Sequence, residues 1–109
     1  MRIWDISPKK LCRKHLLGEH RELHAIWSVI VNGKKGYARH PETLRWRGKL
    51  NALYGRHETL VSEMTARGYR HRSPLLKRQA TGSGTQTTYV DRPRKQIVIL
   101  QNKHCQCDV

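Results

Sequence analysis

Acidic residues are scarce in this chain: 8 Asp and Glu stand against 22 Lys and Arg in 109 residues, for a formal charge of +14. That shortage excludes a protein that recruits cationic partners, and it points to a polyanion held by counterion release. Cysteine is also sparse. Cys12, Cys105 and Cys107 are too few and too unevenly placed for a disulfide framework. Reduced thiols in a cytoplasmic protein are the simple expectation. Long apolar runs are missing, so no membrane span is read. The opening Met1-Arg2-Ile3-Trp4-Asp5 holds no apolar stretch of the signal-peptide kind, so the protein is expected to stay where it is made. The basic residues are spread along the whole chain rather than gathered on one amphipathic helix, which favours nucleic acid over an anionic membrane surface. No internal repeat is present, and the length suits one small domain over 1–109.

What the chain does carry is helical periodicity. Residues 1–6 read as an extended arm. Ser7-Pro8 has the chemistry of a helix start, with Ser as N-cap and Pro in the first turn. Cys12, Leu16, Leu23, Ile26/Trp27 and Ile30 then recur at helical spacing, and Asn32-Gly33 ends the run. A second helix is predicted from Pro41 to Arg67 with Gly68 as its stop. Its inner stripe is Trp46, Leu50, Leu53, His57, Leu60/Val61 and Met64, and Gly48 and Gly55 are potential breaks. Residues 75–90 read as a surface loop around Gly82-Ser83-Gly84. A last short helix follows, capped by Asp91 with Pro93 in its first turn and buried through Ile97 and Leu100. The expected fold is therefore all-α: a small helical domain with an extended N-terminal arm.

Two of the few acids fall in His15-Leu16-Leu17-Gly18-Glu19-His20-Arg21-Glu22-Leu23-His24. Glu22 lies at the margin of the first helix's apolar stripe, and Gly18 sits one turn earlier on the same face. A glycine there leaves room for another chain segment or a substrate. Arg21 beside it, with Arg2, favours an ionised carboxylate. The plainer reading is a solvated helix acid paired to Arg or Lys. His20 and His24 do not make a zinc-protease motif, because the glutamate is not next to the first histidine. They have i,i+4 spacing, but His15 is the only further ligand in view, so they are read as facing phosphates or covering the core edge. Cys12-x-x-His15 with Cys105-x-Cys107 has loose Cys3His zinc spacing that closes only if the tail folds back. Free thiols are the expectation, with no metal and no cofactor.

Three blocks in order carry a resemblance. Arg21-Glu22-Leu23 lies at a fixed distance from the chain start. Val31-Asn32-Gly33-Lys34 forms a turn. A helix then carries Lys49, Leu50, Leu53, Arg56, Leu60, Glu63, Arg67, Gly68 and Tyr69. Together they resemble the pyrimidine-dimer DNA glycosylase family over the first two-thirds of the chain. The resemblance implies an N-terminal arm threading between helices to bring an α-amine, here that of Met1, beside a catalytic glutamate, here Glu22. It implies a DNA glycosylase with AP lyase activity that forms an imine on that amine and nicks the strand by β-elimination. The implied substrate is double-stranded DNA with a pyrimidine dimer or another damaged base, bound by a monomer in the cytoplasm or at the nucleoid. Arg2, Lys14, His20, Arg21 and His24 are the expected DNA-contacting residues. Three departures stand out. Phage members begin with a processed threonine where this chain has Met1, which the bulky Arg2 is expected to protect from removal. Ala25 takes the place of a family arginine. Residues 91–109 form a divergent C-terminal segment without a family counterpart. A non-catalytic basic DNA- or RNA-binding module is the competing reading.

Overall fold

The computed structural model describes residues 2–71 and 73–109. Four helices and two 3-10 turns make up its regular structure, with no strand among the described residues. They are α1 (Arg13–Asn32), α2 (Pro41–Leu44), α3 (Leu50–Ala66) and α4 (Pro93–Gln101), with the turns at Pro8–Lys10 and Lys77–Gln79. The expected all-α architecture with an extended arm is what the structure shows. No described helix is long and apolar enough to cross a membrane.

Helix α1 starts later than Ser7-Pro8 suggests. Ser7 makes no side-chain cap, and Pro8 opens only a 3-10 turn. Leu11 is extended, and the α-helical ladder begins where Leu16 N–H reaches the Cys12 carbonyl. The far end is as expected. Gly33 takes φ 61°, which a glycine adopts without strain, and the Gly33 and Lys34 amides both close on the Val29 carbonyl.

The long second helix is two helices. After α2 the chain turns at Gly48, φ 73°, and restarts at Leu50. Helix α3 lacks a side-chain cap. Its free N–H groups are met by a segment thirty residues on: Asn51 N–H donates to Thr81 O and Ala52 N–H to Ser83 O, at 2.8 and 3.0 Å. Ser83 N–H donates back to Gly48 O. Gly82 lies so close that a Cβ there would sit 2.2 Å from the Gly48 oxygen. The predicted loop is therefore largely exposed along its side chains, yet its backbone is tied to α3.

Helices α1 and α3 form the main packed pair. Leu16, Leu23 and Ile26 of α1 share one core with Leu53, Leu60 and Met64 of α3, together with Trp46 and Leu100. Ile3, Trp4 and Ile6 of the arm are buried in the same core. Burying each such side chain is worth about 1.5–3 kcal/mol before entropy is counted. Helix α4 buries Gln96 and Leu100, while Ile97 is only partly covered. Its N-cap is Arg92, not Asp91, because Asp91 is engaged elsewhere.

Candidate functional site

The arm is fixed by polar groups as well as by its isoleucines. Ile3 N–H donates to Glu42 Oε1, and Asp5 N–H to Gln96 Oε1, at 2.9 and 2.7 Å. Arg45, almost fully buried, joins Glu42, both Asp5 oxygens, Ile3 O and Thr88 O. Gln96 Nε2 donates to Asp5 Oδ2 and to Asp91 O. Arg2 pairs with Asp91 at 2.9 Å and lies over the Trp4 ring. Extended backbone carries its own unpaired N–H and C=O groups into the core, so buried side-chain partners are required there.

On α1 the arm crosses at Glu19. This buried carboxylate accepts a backbone hydrogen bond from Trp4 and two from Arg56, at 2.7 and 3.0 Å. Arg56 also donates to Ile6 O. Burial pushes the Glu19 carboxyl up, and the guanidinium gripping both oxygens opposes it. Glu22 lies three residues further along, roughly 4.5 Å of helix rise. Among the described residues it has no hydrogen bond or ion pair, although it is partly buried. Six of the eight acids are engaged: Asp5, Glu19, Glu42, Glu58, Glu63 and Asp91 all have cationic, imidazole or amide partners. Asp108, the other acid without a side-chain partner, is exposed. The expected pairing of Glu22 with a neighbouring Arg or Lys is not what the structure shows. Gly18 does not receive a neighbour, since a Cβ there would meet nothing within 4 Å. Lys14 and Arg21 are exposed on α1. Met1 lies outside the described residues.

His20 and His24 are not paired with His15. They meet His57 of α3 and His71, which follows α3, with donor atoms of all four within 4.8 Å of one another. His24 Nε2 and His57 Nε2 are 3.2 Å apart, and His57 Nδ1 contacts the Glu58 carboxylate at 2.9 Å. The Nε2 atoms of His20 and His71 are buried without a hydrogen-bond partner among the described residues. Burial, then the three neighbouring imidazoles, pushes His20 down to about 4, and burial likewise lowers His24. One signal for this cluster was present in the sequence: His57 occupies a core position of α3's apolar stripe. Nothing marked His71.

His15 belongs to a second set. The tail folds back, with Asp108 N–H on Lys10 O, and brings Cys105 and Cys107 to Cys12 and His15. His15 Nδ1 lies 3.1 Å from Cys12 Sγ and 3.3 Å from Cys107 Sγ. The Cys12 amide points at Cys107 Sγ at 3.1 Å. Burial and the neighbouring thiols push Cys107 up to about 12; burial also opposes ionisation of Cys12, but the amides around it and the Cys107 thiol outweigh that and lower it. The three cysteines are free thiols. Both sets are donor arrangements that suit a transition-metal ion.

Residues 1–77 match the family model described as pyrimidine dimer DNA glycosylase. No curated protein and no solved structure matches the chain.

Proposed function

The chain belongs to the pyrimidine dimer DNA glycosylase family, and from that premise we propose that it excises a damaged base, a pyrimidine dimer first among candidates, from double-stranded DNA and then cleaves the strand as an AP lyase. The observation that carries this reading is the state of Glu22. In a chain with 22 basic side chains, it is the one partly buried carboxylate without a partner among the described residues. An acid left unpaired in so cationic a setting is available to stabilise a positive charge brought by substrate.

The arm supports the second half of the proposal. Its backbone meets α1 at Glu19, one turn before Glu22 on the same helix. The resemblance gives the part of the nucleophile to the α-amine of Met1. A chain-start amine has a reference pKa of about 8, so part of it is unprotonated at neutral pH. Its lone pair forms a bond to the sugar C1′ as the bond from C1′ to the base breaks. Glu22 stabilises the oxocarbenium-like charge and takes the proton that the amine gives up, while the base leaves with the bonding pair and is protonated by water. Opening of the C1′–O4′ bond, with O4′ taking that proton from Glu22, gives a protonated imine; Glu22 then removes a C2′ proton and the 3′ phosphate leaves with the C3′–O pair. The exposed Lys14 and Arg21 would hold backbone phosphates. Arg2, paired to Asp91, would orient the arm while facing the same groove.

The test is borohydride trapping on dimer-containing and abasic duplexes. The wild type forms a covalent adduct, Glu22→Gln binds DNA without releasing base, and an N-terminal extension abolishes the adduct. A wild type that binds DNA and is never trapped would instead be a basic binding module. Full base release by Glu22→Gln removes the role given to that carboxylate.

A further inference from the structure

We propose that this chain carries two structural metal sites of the zinc class, one of three thiolates and an imidazole, the other of four imidazoles. Neither depends on the glycosylase reading.

The first is built from Cys12, His15, Cys105 and Cys107. Two ligands stand at the start of α1 and two in the tail beyond α4, 90 residues later, yet their donor atoms all lie within 4.8 Å of one another. A tetrahedral zinc ion with sulfur at about 2.3 Å and nitrogen at about 2.0 Å has donor–donor edges of roughly 3.5–3.8 Å. The separations of 3.1 and 3.3 Å from His15 Nδ1 to two of the sulfurs need only a slight opening to accept one. The Cys12 amide aimed at Cys107 Sγ is a partner that favours a thiolate. The Trp4 ring meets His15 edge-on at 5.8 Å and fixes its plane. Three thiols and an imidazole make poor hydrogen-bond partners for one another, so their convergence has little to recommend it without an ion. Soft sulfur donors select zinc over magnesium or calcium. The ion would fasten the tail to α1.

The second site stands on a separate observation, the buried and partnerless Nε2 atoms of His20 and His71. A buried polar atom that nothing meets is left desolvated without compensation. One ring nitrogen from each of the four histidines lies within 4.8 Å of the others, and the His24 and His57 Nε2 atoms are 3.2 Å apart. One cation among the four satisfies them all. His57 is fully buried, and Glu58 sits on its other ring nitrogen, the usual outer partner of a metal-bound histidine. This ion would join α1, α3 and the segment after α3.

Metal analysis of the untagged full chain tests both. Wild type purified with zinc present retains two equivalents after gel filtration. Cys105→Ser/Cys107→Ser retains one, and His71→Ala retains one. X-ray absorption separates the sites: the wild type shows mixed sulfur and nitrogen shells, a readout that needs no variant, and the double serine variant shows nitrogen alone. Cobalt in place of zinc gives a thiolate charge-transfer band in the wild type and in His71→Ala. No sulfur shell and no such band would overturn the first site. A wild type holding one sulfur-bound equivalent, unchanged by His71→Ala, would overturn the second.

Discussion

Replacing Arg45 with methionine should unfasten the arm, and the structure supplies the size of the effect. Arg45 is 5 % exposed and joins Glu42, Asp5 and the carbonyls of Ile3 and Thr88. Methionine keeps the apolar stem against Trp46 but leaves Glu42, 2 % exposed, as a buried carboxylate with no cation. Breaking a buried pair from one side costs about 3–5 kcal/mol, mostly the desolvation of the charge left behind. For 109 residues each kcal/mol is worth about 4 °C of melting temperature, so a drop of roughly 12–20 °C is expected. Urea unfolding followed by tryptophan fluorescence reads the same difference, since Trp4 and Trp46 flank the cluster. Adding Glu42→Gln to the methionine variant should recover part of the loss, because it removes the stranded charge. A loss below about 1 kcal/mol, the range of a solvent-exposed pair, would refute the account of Arg45 as the arm's anchor.

Gly82→Ala should cost about 2 kcal/mol or more by the same urea assay, because φ +80° and the Gly48 carbonyl 2.2 Å from the added Cβ both oppose it. Gly84→Ala, which meets only the end of the Asn51 side chain at 3.3 Å, is the milder comparison. Chelator-treated protein should lose stability as pH falls from about 6.5 toward about 4. His20 binds its proton less readily when folded, from 6.5 down to about 4, so the stability it contributes is present above the unfolded value and is lost in acid. A flat stability profile across that window, measured by urea midpoint, would count against the packed four-histidine cluster.

Much of this was legible where local chemistry decides the outcome. Gly33 ends α1 and Gly68 follows α3 in left-handed conformations, as their positions after periodic runs predict. The α3 stripe, His57 included, is buried as its spacing requires. Glu22 stands out in the sequence as an acid at the stripe's margin, and in the structure as a partly buried acid without a partner among the described residues. What stayed hidden depends on distant segments. Gly48 is legible as a potential break, but the Thr81 and Ser83 carbonyls that supply the new helix start are not. Gln96, polar by type, is buried because Asp5 and Asp91 meet it there. Glu42 and Arg45 are visible as an i,i+3 pair, but nothing local says that the pair is covered by the arm. The return of Cys105 and Cys107 to His15 requires a tail path that no periodicity encodes.

Arg2 with Asp91, Asp5 with Gln96 and Cys12 with Cys107 each join residues 89 to 95 positions apart. The leading segment of the polypeptide must therefore wait on the ribosome, without its native neighbours, until the final helix has been synthesised. Residues 91–107 lie outside the family match, yet in this chain they help to set where residues 2–12 come to rest.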